Sequence, residues 1–451
     1  MDKSPMAKIA ALEPFECGKD AARYFGFEHR NLNHGSFGAS PTPVRSVQRY
    51  YQDLGERRPD AFIRYEYPQQ LDVSRVAIAK YLNAPVETCV FVSNATIGIN
   101  TVLRNIRFNP NDVIIYFATI YGACEKTVSY IVETTPAEAY KIQYTYPCSD
   151  ADLCNAFEAA VKQLRSKGRN PRIAIFDTIV SLPGVRMPFE RLTALCKKHA
   201  VLSCIDGAHG VGHVPLDLSK LDPDFFISNC HKWLNVPRGC AVFYVPLRNQ
   251  ATMRSTLPTS HGFVPLPEHG GGINNPLPPT GKSEYVTNFE FVGTLDDSPY
   301  LCIPAALEWR SKVRWNGMVG EEAIMGYCSR LARRAGAILS GILKTEVMEN
   351  REGTLGNCNF SNVRLPLSSN ALTAGDAAQI ASIGQWIAKT LVQDYKTFIA
   401  IIYYDQSWWM RLSAQVYLGE EDFQWAGRVL AEVCSRVENG EWRQDRLASK
   451  L

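Results

Sequence analysis

No stretch of the 451 residues approaches the roughly 18 consecutive apolar residues that a membrane-spanning helix needs. The opening "MDKSPMAKIAALEPFECGKD" holds no apolar core long enough for a signal peptide, so the expected location is the cytoplasm. Neither sign of charge is in excess. Lys and Arg number 48 against 45 Asp and Glu, without a dense basic run, which removes the electrostatic footprint of a nucleic-acid or acidic-membrane binder. The 13 cysteines include no C-x-x-C pair and no Cys/His spacing of a zinc site. They read as free thiols of a reducing compartment, not as a disulfide frame or a metal centre. Internal repeats and low-complexity tails are absent too. What remains is a chain long enough for a large core and two domains, whose partner is expected to be a small molecule.

Apolar strand-like segments alternate with helical patterns, the arrangement of a mostly parallel sheet with crossover helices. "TCVFVS" (88–93) leads into "NATIGINTVLRNI", and "DVIIYFATI" (112–120) into "YGACEKTVSYIVE". "YKIQYTY" precedes "SDADLCNAFEAAVKQLRSKG", where Ser149 and Asp152 have the spacing of a capping box. "RIAIFDT", "VLSCID", "DFFISN" and "CAVFYVP" supply further strands. In such sheets ligands bind beyond the carboxyl ends of the strands. Between 254 and 292 the chain turns rich in Gly and Pro, too long for a simple connector and expected to be a lid or subunit-contact loop. After 300, the helical "GEEAIMGYCSRLARRAGAILSGIL" and the strands "NFSNVRLPL", "FIAIIYY" and "WWMRLSAQVYL" make an α+β pattern. The expected domains are an N-terminal arm and substrate loop over 1–40, a large domain over 41–300 that includes the 254–292 loop, and a smaller C-terminal domain over 301–451.

Asp206 ends the strand "VLSCID", and Lys232, preceded by His231, follows the end of "DFFIS". Each has an ordinary reading, since strand-end aspartates hold turns and most lysines are solvated. Together, at strand ends of one sheet, they fit a pyridoxal phosphate site, in which a lysine amine joins the cofactor aldehyde and an aspartate partners the pyridine nitrogen. Without that carboxylate the ring loses its proton easily and stops acting as an electron sink. A phosphate cradle is expected at the strand–helix junction "VSNATIGIN". There Asn94, Ala95 and Thr96 offer N–H groups and a helix dipole, an ordinary N-cap being the alternative.

The motifs "NLNHGSFGASP", "SNATIGIN", "YGACEKT", "DGAHGVGHVPLDL", "SNCHKWLNVPRGCAVFYV", "FVGTLDDSP" and "MRLSAQVYL" occur in an order that resembles the class V branch of fold-type I pyridoxal phosphate enzymes. The resemblance spans roughly residues 20 to 435. It lies in the isopenicillin N epimerase-like group with cysteine desulfurase relatives, and within that group is nearest to the fungal C–S lyases of ergothioneine biosynthesis. It implies an α/β, fold-type I transferase fold: a mostly parallel central sheet with helices on both faces, plus a smaller α+β C-terminal domain. It also implies a homodimer with active sites at the subunit interface. By the same resemblance Lys232 bonds the cofactor, His231 and Ser228 lie beside its phosphate, Asp206 meets the pyridinium nitrogen and His209 the ring hydroxyl, and Asp177 binds from the neighbouring strand. Tyr121 matches the aromatic position over the ring face, where a phenol can also exchange protons. Gly293 and Thr294 match the segment that a neighbouring subunit lends to the phosphate. Arg411 matches the clamp on the substrate carboxylate, for which a guanidinium fork offers paired donors. Asn33 and His34 fall in the substrate loop. The pattern is departed from at Thr178, where relatives often carry a histidine, and after Tyr417, where an asparagine is missing.

The implied reaction is β-elimination from a cysteine sulfoxide conjugate of the hercynylcysteine type, releasing pyruvate and ammonia. An epimerase would need a second proton donor on the opposite face. A desulfurase would need a cysteine on a flexible loop, and "GFVPLPEHGGGINNPLPPTGKSEY" has none. A non-catalytic cofactor-binding protein would have no evident use for both Lys232 and Arg411. For a trimethylammonium-bearing substrate, aromatic faces are suitable partners. Phe62, Tyr65, Tyr67, Trp408 and Trp409 are the candidates, although strand alternation turns at most one of the two tryptophans toward the site.

Overall fold

The computed structural model describes residues 4–269, 277–279, 281–367 and 377–443. Seven strands make its central sheet: β1 Cys89–Val92, β2 Asp112–Phe117, β3 Glu138–Ile142, β4 Asn170–Asp177, β5 Leu202–Asp206, β6 Phe225–Asn229 and β7 Ala241–Tyr244. Their spatial order is β1-β7-β6-β5-β4-β2-β3, parallel throughout except that β7 runs antiparallel to both neighbours. Both faces are covered, which is why the strands read as nearly continuous apolar runs. Along β4, Ala174 and Phe176 enter one buried cluster while Ile173 and Ile175 enter the other, the period-two alternation of a strand.

The connecting helices include α1 Ala95–Asn105, α2 Gly122–Thr134, α3 Asp150–Ser166, α4 Phe189–Lys198 and the single turn α5 Cys230–Trp233. The expected capping box starts α3: Ser149 Oγ accepts from Asp152 N at 3.0 Å, and Ser149 N donates to the Asp152 carboxylate at 3.1 Å. Glycine sets how closely α1 approaches β6, since a Cβ on Gly98 would meet the Ile227 side chain at 2.6 Å. That approach brings the N-terminus of α1 to the strand ends where Asp206 and Lys232 lie.

A second, antiparallel sheet is formed by β8 Phe360–Arg364, β9 Ala400–Tyr404 and β10 Ser407–Ser413 in the order β8-β10-β9. Helices α6 Glu321–Leu343 and α7 Ala377–Tyr395 pack on it, and α8 Glu420–Glu438 packs on both helices. The N-terminal segment is stitched to this half of the chain, Phe15–Glu16 pairing with Val313 and Arg314, and Arg30–Asn31 with Thr397–Phe398.

Two sequence expectations need revision. The strand expected over "YKIQYTY" is Glu138–Ile142, because β3 is an edge strand and the following tyrosines are held by ring packing, with Tyr144 and Tyr146 edge to face at 5.1 Å. The expected loop over 254–292 contains a helix, Glu284–Glu290, seated on the sheet: Tyr285 donates to the Phe243 carbonyl and Phe289 packs on the Phe243 ring. Residues 270–276 and 280 of that segment lie outside the described residues. All thirteen cysteines are unpaired. No helix among the described residues is long and apolar enough to cross a membrane.

Candidate active site

At the carboxyl edge of the sheet, Asp177 of β4 and Asp206 of β5 are register partners, and both are buried. Asp206 accepts from Ala208 N at 3.0 Å and from the Cys124 thiol, on the first turn of α2, at 3.4 Å. Burial and the nearby carboxylates push that thiol well up, so it stays a donor. Asp177 Oδ2 is buried without a hydrogen-bond partner. Two buried carboxyls on neighbouring strands each disfavour ionisation of the other. Burial and the charge of Asp206 raise Asp177 far above the usual carboxylate range, and burial raises Asp206 too, against the opposing pull of Ala208 N–H, Cys124 and Lys232. The pair as a whole favours keeping a proton, and Asp206, which accepts from Ala208 N and Cys124, is the member better served with donors.

Lys232 lies on α5, directly after β6, with its Nζ 3.2 Å from His209 Nε2. Burial and the charge of Arg411 lower the amine to about 8 against the opposing pull of Asp206 and Asp177. The turn is held from several sides. His34 Nε2 donates to the Lys232 carbonyl at 2.6 Å, and Arg310 donates to the Trp233 carbonyl at 2.7 Å. Gly38, at φ 64°, lies so close that a Cβ would stand 1.8 Å from the His231 carbonyl oxygen.

Two expected ligand contacts turn out to be committed elsewhere. His34 donates from Nε2 to Lys232, so its Nδ1 accepts from the Tyr417 hydroxyl at 3.0 Å and no ring nitrogen remains for a substrate. The Ser228 hydroxyl donates to the Gly207 carbonyl and accepts from Val211 N at 2.9 Å. It braces the turn after β5 and is not aimed at an anion. At the expected cradle, the Asn94 side chain accepts from Ile97 N at 2.9 Å and Ala95 N donates to Asn229 Oδ1 at 2.8 Å. Thr96 is left as the open donor there. His231 donates from Nδ1 to the Cys240 carbonyl at 3.0 Å, leaving Nε2, and burial lowers the ring to about 4. The part of Asn229 was missed in the sequence, where an amide beside Ser228 has no distinguishing pattern.

Arg411 reaches this edge from β10. It is 1% exposed, yet among the described residues no carboxylate pairs with it. Its Nη1 donates to the Ser181 carbonyl at 2.7 Å and its Nη2 to Asn33 Oδ1 at 2.8 Å and Ser36 Oγ at 2.9 Å, while Nε has no partner. The guanidinium also lies 4.5 Å above the Phe360 ring, and burial lowers it to about 10. Asn33 thus orients the arginine, with Ser36, which sequence reasoning did not single out. Tyr121 is the N-cap of α2, three residues before Cys124, and the residue is 49% exposed.

Other candidates stand apart. Gly293 lies at φ 138°, and Thr294 lines a hollow of about 540 Å³ with Tyr51, Phe62, Tyr67 and Asp297, with no hydrogen bond to the Lys232 turn among the described residues. Phe62 and Tyr67 are walls of that hollow and Tyr65 is exposed. Trp408 packs on Tyr403 and against Gly384 of α7, and Trp409 is buried with its indole N–H unpartnered.

The aminotransferase class-V family matches residues 44–276. An L-cysteine desulfhydrase-like protein of Epichloe uncinata, lolT1, is 40% identical over 92% of this chain and 95% of its own. Hercynylcysteine sulfoxide lyase of Schizosaccharomyces pombe is 29% identical, covering 90% of this chain and 95% of its own. Among solved structures, a cystine C–S lyase in complex with cysteine persulfide aligns with a TM-score of 0.70 at 19% identity, over 90% of this chain and 97% of that one, and so has the same fold. With a family match across half its length and a relative at 40% identity along nearly all of it, the chain belongs to the class-V aminotransferase family of pyridoxal phosphate enzymes.

Proposed function

We propose that the protein is a pyridoxal phosphate-dependent carbon–sulfur β-lyase acting on a cysteine sulfoxide conjugate of the hercynylcysteine type, with release of pyruvate and ammonia, in ergothioneine formation. The observation that carries this reading is Arg411, a buried guanidinium with no carboxylate partner among the described residues, whose charge is felt at Lys232. A buried charge left unpaired is costly, and a substrate α-carboxylate would relieve it. The relatives named as L-cysteine desulfhydrase-like protein and hercynylcysteine sulfoxide lyase support the C–S chemistry.

The residues suit the cofactor. Asp177 Oδ2 is unpartnered, Asp206 is buried beside the Lys232 turn, and the Lys232 amine is lowered to about 8. Bound there, pyridoxal phosphate supplies an aldehyde for the substrate amine and an electron-poor ring that accepts the Cα electron pair. Asp206 would hold the proton on the ring nitrogen, with His209 and Asp177 toward the ring hydroxyl, Tyr121 over the face, and Thr96 and His231 at the phosphate. Gly293 and Thr294 of a second copy would complete the phosphate site, so the reading includes a homodimer, and the free thiols suit a cytoplasmic one. A large domain to about residue 300 would hold the cofactor and the smaller one would contribute Arg411.

Arg411 orients the substrate through its carboxylate, and Lys232 Nζ removes the Cα proton and passes it to the sulfinyl oxygen of the leaving group. The Cα–H and Cβ–S bonds break, a sulfenic acid leaves, and water converts the three-carbon remainder to pyruvate and ammonia. The protein incubated with cysteine and with cysteine sulfoxide conjugates should yield pyruvate and ammonia in equal amounts. Borohydride should fix the cofactor on Lys232. Alanine with persulfide would select a desulfurase, loss of chirality without pyruvate an epimerase, and no turnover a binding protein.

A further inference from the structure

Trp233, the residue after the proposed cofactor lysine, directs its indole N–H at His209. Nε1 lies 3.1 Å from His209 Nδ1, and an indole nitrogen can only donate, so Nδ1 is the acceptor. Burial, with the Arg411 charge also near, lowers His209 well below an ordinary imidazole and favours its neutral form. A neutral imidazole that accepts at Nδ1 carries its proton on Nε2, and that nitrogen lies 3.2 Å from Lys232 Nζ. We infer that Trp233 is a positioning residue: its N–H locks His209 in the Nε2–H tautomer, so that His209 donates to the lone pair of the free Lys232 amine, favours that uncharged form and holds it in place.

The indole cannot turn away. It lies 3.9 Å from the His213 ring and edge-on to Phe360 at 5.2 Å, and Arg310 holds the backbone carbonyl of the same residue. A hydrogen bond made to the neutral form of a group favours that form, so the lock and the burial of Lys232 act in one direction. The titratable groups facing Lys232 are Arg411, Asp206 and Asp177; those facing His209 are Lys232, Arg411, His213 and His231. The catalytic consequence rests on the reading of Lys232 as the cofactor lysine, whereas the tautomer follows from the Trp233–His209 pair alone.

The test uses the full chain, histidine-labelled with nitrogen-15 and free of cofactor, with the His209 signals assigned by their loss in His209→Gln. The wild type should show a protonated Nε2 and a pyridine-like Nδ1 at His209, and Trp233→Phe should show both tautomers. The pKa of Lys232, read from the pH dependence of its modification by fluorodinitrobenzene with peptide mapping, should rise by about half a unit or more above the wild-type value of about 8 in that variant, the effect of losing one ordinary hydrogen bond to the free amine. A wild-type His209 protonated at Nδ1 overturns the inference, as does an unchanged His209 spectrum in folded Trp233→Phe. If circular dichroism shows that variant unfolded, the wild-type spectrum decides alone. A borohydride adduct on another lysine would remove the cofactor reading and leave the tautomer standing.

Discussion

At the scale of single residues, Arg411 concentrates the functional argument. Its three hydrogen bonds to Ser181, Asn33 and Ser36 fix the guanidinium plane, and Phe360 supports its face. A lysine at 411 would keep a charge but neither the fork nor the planar stacking. Arg411→Lys should therefore lower kcat/KM for a cysteine sulfoxide conjugate at least about a hundredfold, about 2.7 kcal/mol of transition-state stabilisation. The amount of cofactor fixed by borohydride should barely change, because the arginine grips the amino acid alone. Near-normal kcat/KM would place the carboxylate clamp elsewhere. Arg411 was legible from its motif, but Ser36 and Asn229 were not: a hydroxyl or an amide makes hydrogen bonds almost anywhere, and only the fold selects the partner.

At the scale of elements, the lysine turn α5 depends on how closely the loop after Asn33 can approach it. Gly38→Ala would drive a Cβ into the His231 carbonyl at a backbone angle that L-residues rarely adopt, so neither side can yield cheaply. The expected cost is at least about 3 kcal/mol, the range of backbone strain added to a severe clash. It should appear as a lower denaturation midpoint and poorer cofactor loading. Gly341 in α6 is the control, since a Cβ there meets nothing within 4 Å. Gly341→Ala should stabilise by up to about 1 kcal/mol through helix propensity. If the two variants unfold alike, close approach is not what Gly38 provides.

At the scale of the whole molecule, buried histidines couple stability to pH. Burial holds His34 at about 4 against an ordinary 6.5, and His231, also at about 4, His209 and His213 are lowered as well. Between those values the unfolded chain binds protons that the folded chain refuses. The stability His34 contributes is thus complete above 6.5 and is lost as pH falls toward 4, at up to about 1.4 kcal/mol per pH unit. Asp177, raised in the fold, acts with the opposite sign, so the clean measurement is a difference. His34→Gln, which can still donate to Lys232 and accept from Tyr417, should unfold with a shallower pH slope than the wild type across that window, in urea titrations at several pH values. Equal slopes would mean that His34 does not stay neutral in the folded state.

The sequence by itself determined the alternation of strands and helices, the placement of Asp206 and Lys232 at strand ends, the capping box of α3 and the family motifs. These are local properties: apolar periodicity and short-range hydrogen bonding act within a few residues of the chain. Which polar atoms stay open to a ligand depends on the folded arrangement. Ser228 and His34 look available in the sequence but are committed to Gly207, Val211, Lys232 and Tyr417, whereas Asp177 Oδ2 and Arg411 Nε are left without partners. His34 lies 383 residues from Tyr417, and Arg411 lies 378 from Asn33. A hydrogen bond is satisfied by whatever the fold brings within about 3 Å, and no pattern along the chain encodes that distance.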